Sequence, residues 1–320
     1  MKSRIVALFL LCCTGLAQAA SPTVLQRPID LQTDQGVLHG SLLLPQGDTP
    51  PPVVLIIAGS GPTDRDGNNP AGGRVDNLKR LAWLLADAHI ASVRYDKRGV
   101  AASQPATPDE RDLSVERYVA DASAWGRMLK ADPRFGQLIL IGHSEGALIA
   151  SLAAEPAGAS AIVSLAGSGR PLAEVVREQL AQRLSRRELA RGNALLDRLQ
   201  AGQTSLDVPA PLRQVFRPSV QPYLISLFRQ DPAAAFARLT IPALIIQGRN
   251  DVQVDVADAE RLKAARPDAQ MVLIDGMNHM LRISPADMSE QRESYSNPEL
   301  PLAHELGERI VSFIRGLPTS

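Results

Sequence analysis

The stretch Leu138-Ile-Leu-Ile-Gly-His-Ser-Glu-Gly-Ala147 joins four apolar residues to a Gly-x-Ser-x-Gly motif. The apolar run predicts a short buried strand, and the Ala- and Leu-rich run at 147–154 predicts a helix. Gly142 and Gly146 suit a sharp strand-to-helix turn, where the backbone is crowded. Such a turn lifts Ser144 above the sheet at the positive end of the helix, so the motif predicts a nucleophilic serine. The alternative is an ordinary turn with a surface serine.

The first twenty residues have the pattern of a secretory signal peptide. Met1-Lys-Ser-Arg4 is charged, residues 5–11 are apolar, and Ala17-Gln-Ala-Ala20 offers a small-x-small cleavage site. We therefore expect a secreted or periplasmic protein whose mature domain spans residues 21–320. A lipoprotein signal at Cys12 or Cys13 is disfavoured, because the small residues expected before a lipidated cysteine are missing. No cysteine occurs after this segment, so we expect neither a disulfide nor a thiolate site.

The composition of the mature chain limits which kinds of partner we expect it to bind. Removing Lys2 and Arg4 from the 34 basic residues leaves 32 against 34 acidic ones, so the mature chain is close to neutral. Nucleic-acid binding depends on clustered positive charge, so a near-neutral chain with no basic run is not expected to bind nucleic acid. No later stretch is apolar and long enough for a membrane span. A length of about 300 residues fits one large α/β domain that carries an insertion.

Strand and helix patterns alternate along most of the chain, which predicts an α/β fold with a mostly parallel sheet between two layers of helices. A hairpin is predicted over 29–44, with its turn at Asp34-Gln-Gly36. Strands are predicted at 53–58, 90–95, 138–141, 161–165, 241–247 and 271–274, and helices at 76–88, 114–130, 255–265 and 302–314.

Residues from about 170 to 239 break this alternation. They contain helical patterns and no convincing strand; Leu172 to Leu199 is amphipathic, and four prolines interrupt the second half. We predict a helical cap insertion that lies over the site as a lid. The alternative is a set of helices that pack on the flank and do not touch the substrate.

A nucleophilic serine needs a base, and two histidines follow Ser144 in the chain, His279 and His304. His279 lies on a loop just after the predicted strand 271–274, where the base of such a site belongs. His304 lies within the predicted last helix. His279 is therefore the predicted base.

The base needs a carboxylate that orients it. Asp251 follows a predicted strand in a Gly-containing turn, so we predict Asp251 for this role. Asp255 and Asp258 fit the start of the next helix, where negative charge is favourable. Asp275 remains an alternative, although it is close to His279 along the chain.

Two backbone N–H groups must bind the oxyanion that forms on the substrate. One is expected from Glu145, the residue after the nucleophile. The other is expected from Gly59-Ser-Gly-Pro62, after the predicted strand 53–58; Pro62 has no N–H, so Ser60 is the predicted donor. The alternative is a plain Gly-Pro turn.

Together these motifs resemble bacterial α/β hydrolases of the serine carboxylesterase kind, and more distantly acyl-CoA thioesterases and bile-acid acyltransferases. The resemblance implies an eight-stranded sheet, a Ser-Asp-His triad, no cofactor and a small-molecule ester substrate. The scarcity of aromatic residues in the helical insertion favours short acyl chains. Ser144 favours hydrolysis, because the acyltransferases often have cysteine there. Thioesterase, peptidase or acyltransferase activity remains open, as does a non-catalytic binding protein of this fold. The motifs are Gly59-Ser-Gly-Pro-Thr-Asp-Arg-Asp-Gly-Asn68, Tyr95-Asp-Lys-Arg-Gly99, Gly142-His-Ser-Glu-Gly146, Gln247-Gly-Arg-Asn-Asp251 and Asn278-His279.

Three further features have more modest interpretations. Asp64-Arg-Asp-Gly-Asn68 looks like the start of a calcium loop, but the twelfth position is Val75 where a glutamate is needed, so no metal is predicted. Asp96-Lys-Arg-Gly99 is expected to support the neighbouring loop. His143 and the side chain of Glu145 are expected to tune the site without acting as acid or base.

Overall fold

A computed structural model describes residues 23–318, and the predicted signal peptide at 1–20 lies outside this range. Eight strands form one sheet in the order β1-β2-β4-β3-β5-β6-β7-β8. The strands are β1 (Val24–Thr33), β2 (Gly36–Pro45), β3 (Val53–Ile57), β4 (Ala91–Tyr95), β5 (Leu138–His143), β6 (Ala161–Leu165), β7 (Ala243–Gly248) and β8 (Gln270–Ile274).

Only one end of this sheet is antiparallel. β1 and β2 form the predicted hairpin, with Thr33 paired to Gly36, and β2 also pairs antiparallel with β4. All remaining neighbours are parallel, with β5 between β3 and β6. The prediction of a mostly parallel eight-stranded sheet is therefore confirmed. The order places β5 near the middle, so the serine that follows it lies over the centre of the sheet edge.

Helices cover both faces of the sheet because the buried strands are apolar on both sides. Along β3, Val53, Leu55 and Ile57 face one core, whereas Val54 and Ile56 face the other. The first core is covered by α2, α3 and α8, and the second by α1 and α9. The helices of these two layers are α1 (Asn77–Asp87), α2 (Val115–Ala131), α3 (Glu145–Ala157), α8 (Val256–Ala265) and α9 (His304–Arg315).

The predicted helix starts agree with the observed caps. The hydroxyl of Ser114 accepts a hydrogen bond from the N–H of Arg117, and the carboxylate of Asp255 accepts one from the N–H of Asp258. These side chains satisfy N–H groups that the first helical turn leaves free. Strands and helices outside the 170–239 interval begin and end within a few residues of the predicted positions, apart from the longer hairpin strands.

Four helices occupy the interval between β6 and β7: α4 (Leu172–Arg183), α5 (Arg186–Gln200), α6 (Gln221–Phe228) and α7 (Pro232–Ala237). The amphipathic stretch from Leu172 to Leu199 is divided by Ser185, which forms a capping box with Glu188 and so starts a new helix. α7 packs against α3 and α8, so the end of the interval belongs to the helical layer over the sheet. Within residues 23–318, no helix is both long and apolar enough to cross a membrane.

Candidate active site

Ser144 occupies a strained turn between β5 and α3. Its backbone has φ 56° and ψ −123°, a conformation that residues other than glycine rarely adopt. A Cβ on Gly142 would lie 2.1 Å from the carbonyl oxygen of Gly146, and a Cβ on Gly146 would lie 2.3 Å from that of Ile57. Both glycines are therefore required by the close approach of β5, α3 and β3. The serine hydroxyl is left half-buried at the amino end of a 13-residue helix.

Asp251 and His279 form a buried pair at the ends of two neighbouring strands. Asp251 follows β7 and His279 follows β8, and these strands are parallel, so both loops emerge at the same edge. His279 Nδ1 donates to Asp251 Oδ2 over 2.8 Å, and the two side chains are 4% and 0% exposed. Because Nδ1 is engaged, Nε2 is the ring nitrogen left to accept a proton. Ser144 and His279 line the same cavity.

The environment of Asp251 keeps its carboxylate charged. Burial alone would raise the pKa of this carboxyl, but the charge and hydrogen bond of His279 and the N–H groups of Gln253 and Val254 outweigh burial and lower the pKa. Gln247 Nε2 donates to the same oxygen that His279 uses, over 3.1 Å. The acid is therefore held ionised and in one orientation.

His143, beside the serine, stabilises the loop that carries His279. Its Nε2–H donates to the carbonyl oxygen of His279 over 2.8 Å, and the two rings lie 4.9 Å apart. Burial, followed by repulsion from His279, lowers the pKa of His143 to about 3. The ring is therefore neutral near pH 7. This agrees with the prediction that His143 supports the site without exchanging protons.

The loop after β3 closes over the serine. A Cβ on Gly59 would lie 3.1 Å from Ser144 Cβ, so glycine permits this approach. Lys97 Nζ donates to the carbonyl oxygens of Gly59 and Gly61. Among the described residues, neither the N–H of Ser60 nor that of Glu145 donates to another group. Both N–H groups are thus unpaired within residues 23–318.

The next part of this loop is fixed by its own acidic residues. Asp64 Oδ1 accepts from the N–H groups of Asp66 and Asn68 over 2.9 and 2.8 Å. Asp66 in turn accepts from the buried guanidinium of Arg94 over 2.7 Å. Within residues 23–318, no group of three or more His, Cys, Asp or Glu side chains is arranged to hold a metal ion. The carboxylates that resemble a calcium loop in sequence instead shape the loop.

Asp96 also supports the loop. It accepts two hydrogen bonds from Arg65, from the backbone N–H over 2.8 Å and from the guanidinium over 2.7 Å. Arg98, two residues later, forms a buried pair with Asp121 over 2.6 and 2.7 Å. The structural role expected for the Asp96–Gly99 motif agrees with these contacts.

Two cavities lie on either side of Ser144. One, of 340 Å³, is lined by residues that include the polar side chains of Asn69, Gln253 and Tyr295. The other, of 430 Å³, lies beside α4 and has several apolar side chains in its wall: Leu148, Leu172, Val175, Leu227, Val252, Val254 and Met288. Ser60, Ser144 and Gln253 line both. A larger cavity of 1110 Å³ lies between α1 and α9, and Ser144 does not line it.

Three other residues considered as base or acid of the site, His304, Asp275 and Asp255, make their contacts away from Ser144. His304 is exposed at the start of α9 and lies 3.7 Å from Glu308. Asp275 pairs with Arg249 at the surface over 2.8 Å. Asp255 caps α8. These residues lie outside the linings of both cavities at Ser144.

Sequence reasoning missed two residues around the serine. Tyr223 of α6 donates to the Glu145 carboxylate, and Gln253 lines both cavities. Gln253 lies two residues after Asp251, so its loop position offered a local signal. The tyrosine offered none, because it lies 78 residues from its partner.

The fold and the placement of Ser144 define an α/β hydrolase with a serine at the turn after the central strand. The chain belongs to the family described as Hydrolase_4, serine aminopeptidase S33, whose model matches residues 71–285. A relative, esterase EstD of Thermotoga maritima, is 31% identical over 248 residues, which is 76% of this chain and 58% of that protein. The chain thus spans little more than half the length of this relative.

Solved structures share the fold at low sequence identity. Est1E of Butyrivibrio proteoclasticus, solved with ferulic acid bound, aligns with a TM-score of 0.61 and 17% identity, covering 90% of this chain and 98% of that one. An esterase of Pyrococcus furiosus aligns with a TM-score of 0.54 and 15% identity, covering 98% and 96%. At this identity the likeness establishes the α/β-hydrolase fold alone.

Proposed function

We propose that the chain is a serine hydrolase that cleaves carboxylic esters, with Ser144, His279 and Asp251 as its triad. The observation that carries the proposal is the buried 2.8 Å hydrogen bond between His279 and Asp251, at a cavity that Ser144 also lines. A serine hydroxyl is a weak nucleophile at neutral pH, and an adjacent imidazole oriented by a carboxylate is the arrangement that activates it.

The reaction follows from the positions of these groups. Ser144 Oγ attacks the acyl carbon while His279 Nε2 takes the hydroxyl proton. The Ser60 and Glu145 N–H groups bind the resulting oxyanion. The ester C–O bond then breaks, and His279 gives its proton to the leaving alcohol. Water attacks the acyl-enzyme with His279 again as base, which releases the acid and restores the serine. Asp251 holds the imidazole in the required tautomer and stabilises its charged form.

The lining of the cavities favours esters over peptides with a free amino terminus. An aminopeptidase must bind a substrate ammonium group, which calls for a free carboxylate near the nucleophile. Two carboxylates line the two cavities at Ser144, and each has a partner: Glu145 accepts from Tyr223, and Asp258 pairs with Arg170 over 2.9 Å. The name of the 31% identical relative, esterase EstD, points the same way.

The two cavities suggest where each half of the substrate binds. The apolar wall of the 430 Å³ cavity suits the acyl chain, since burial of apolar surface is favourable. The 340 Å³ cavity, lined by Asn69, Gln253 and Tyr295, suits a polar alcohol. We propose short acyl chains, and the ester series below tests the chain length.

The test is hydrolysis of p-nitrophenyl esters from acetate to palmitate, beside matched thioester and aminoacyl anilide substrates. Ser144→Ala should lose activity by a factor on the order of a million while remaining folded. Ser151→Ala is the matched control, because Ser151 lies on α3 and its hydroxyl bonds to the carbonyl of Ala147 over 2.8 Å; it should retain activity.

The outcomes separate the alternatives. Faster turnover of the thioester or the anilide would replace the ester assignment with thioesterase or peptidase activity. Transfer of the acyl group to an added alcohol in preference to water would indicate an acyltransferase. Failure of a fluorophosphonate to label the wild-type protein would favour a non-catalytic binding protein.

A further inference from the structure

Lys97 places a buried cation directly beneath the loop that follows β3. The residue lies two positions after β4 and is 2% exposed. Its Nζ donates to the carbonyl oxygen of Gly59, and to that of Gly61 over 3.0 Å. The same nitrogen lies 5.5 Å from the centre of the Tyr118 ring, within cation–π range. A single side chain therefore holds both ends of a three-residue segment.

This contact determines the direction of the Ser60 N–H. The Gly59 carbonyl and the Ser60 N–H belong to one planar trans peptide unit, so they point in opposite directions. Lys97 binds the carbonyl on the protein side, and the N–H is thereby turned away from Lys97. Ser60 and Ser144 line the same two cavities.

The electrostatic setting of Lys97 also bears on the oxyanion. Burial lowers the pKa of Lys97, whereas the negative charge of Glu145 opposes that effect. The Glu145 carboxylate accepts a hydrogen bond from Tyr223, and the backbone N–H of the same residue is the one expected to bind the oxyanion. A carboxylate in this position repels a developing oxyanion, and a nearby ammonium offsets the repulsion.

We propose that Lys97 is the positioning residue of the oxyanion site: it orients the Ser60 N–H through the Gly59 and Gly61 carbonyls, and its charge balances the Glu145 carboxylate. The inference rests on the proposed function. It predicts a defect in the transition state and little change in binding of the ground-state ester, because the oriented N–H is used mainly once the oxyanion forms.

The experiment compares Lys97→Met with Lys130→Met. Lys130 also donates to a backbone carbonyl, that of Gly158 over 3.0 Å, but lies on the surface away from the site. With a p-nitrophenyl ester, Lys97→Met should reduce kcat on the order of 100-fold, as loss of an oxyanion donor does, with KM within about threefold. Phenylboronic acid, which forms a tetrahedral adduct with the serine, should bind more weakly by a similar factor. Lys130→Met should match wild type in kcat, in KM and in its affinity for phenylboronic acid.

Lys97→Gln is the second variant, because its amide can donate to one carbonyl without a charge. We expect it to recover part of the lost kcat, and it replaces Lys97→Met if that variant does not fold. A kcat within threefold of wild type would overturn the proposal, and so would a loss confined to KM.

Amide hydrogen exchange keeps this inference separate from the proposed function. Peptides covering residues 58–64 should exchange faster in the Lys97 variants than in wild type, whether or not the wild type cleaves esters. If the wild type neither cleaves an ester nor reacts with a fluorophosphonate, the proposed function fails and exchange alone decides the role of Lys97. Unchanged exchange would overturn that role.

Discussion

Asp251→Asn removes one charge from the candidate triad and changes no heavy-atom count. Asp251 Oδ1 accepts from the backbone N–H groups of Gln253 and Val254 over 2.8 and 3.0 Å. Oδ2 accepts from Gln247 Nε2 over 3.1 Å and from His279 Nδ1 over 2.8 Å. All four partners are donors, so a carboxylate satisfies them and an amide satisfies only the two that face its oxygen.

The two backbone donors decide how an asparagine would sit. They require the amide oxygen at the Oδ1 position, which turns the NH₂ group toward Gln247 and His279. His279 must then accept at Nδ1 and carry its proton on Nε2, so Nε2 cannot take the proton of Ser144. We expect kcat to fall on the order of 10⁴-fold, as in other triads that lose the correct tautomer. The new NH₂ group and Gln247 Nε2 would face each other as two donors, so we also expect the free energy of unfolding to fall by about 1–3 kcal/mol.

The assay is kcat and KM for a p-nitrophenyl ester, with urea unfolding to measure stability. Asp255→Asn is the matched control, because Asp255 caps α8 and asparagine caps a helix equally well. It should change activity by less than about twofold. If Asp251→Asn kept more than a tenth of wild-type kcat while folded, His279 would not depend on Asp251 for its tautomer, and the reasoning would be wrong.

The same variant has a signature in the acid range. Because the pKa of Asp251 is lower in the folded chain than its ordinary value of 3.8, its charged form contributes stability at higher pH. That contribution is complete above the unfolded pKa and is lost as pH falls through the folded pKa. The stability difference between wild type and Asp251→Asn should therefore shrink as pH falls below about 4. A stability difference that increases as the pH falls would contradict the predicted direction of the effect.

Two further predictions concern the residues around the serine. The pKa of His143 falls from 6.5 to about 3 on folding, so the folded chain binds fewer protons and loses stability as pH decreases below 6.5. His143→Gln keeps a donor for the His279 carbonyl but does not titrate. Urea unfolding at pH 6.5 and pH 5 should therefore show that the free energy of unfolding falls by about 2 kcal/mol less in the variant than in wild type. An equal fall in both proteins would exclude a neutral buried imidazole. Gly146→Ala would place a Cβ 2.3 Å from the Ile57 carbonyl, and we expect about 1–3 kcal/mol of destabilisation with reduced kcat. Gly47→Ala, with no atom within 4 Å of the added Cβ, is the control in thermal unfolding and should be neutral.

Much of the fold could be predicted because its signals are local. Each buried strand is a short apolar run bounded by turn residues, and each helix of the two layers has a cap or an apolar face within its own sequence. The loop positions of Ser144, Asp251 and His279 followed from the same rule, since each lies just after a parallel strand. Parallel strands end at a common edge, so residues after their carboxyl ends lie near one another.

The interval from 170 to 239 was less predictable. Its helical content is visible in sequence, but the break at Ser185 depends on a capping box that competes with a continuous amphipathic pattern. The packing of α7 against α3 and α8 depends on surfaces that come from three separate parts of the chain. Such contacts have no periodic signature, because they are set by the shape of the layer that the helix joins.

The contacts that could not be predicted are the ones that join the interval to the site. Tyr223 reaches Glu145 beside the nucleophile, and Arg170 binds Asp258 at the start of α8 over 2.9 Å. These two contacts join the interval to Glu145 and Asp258, which line the 430 Å³ cavity together with residues of α4. The groups that would carry out the chemistry lie on loops of the sheet, whereas the wall of this cavity comes partly from the interval. Substitutions in α4 should therefore change the preferred acyl chain, and substitutions at the strand ends should change the rate for every substrate.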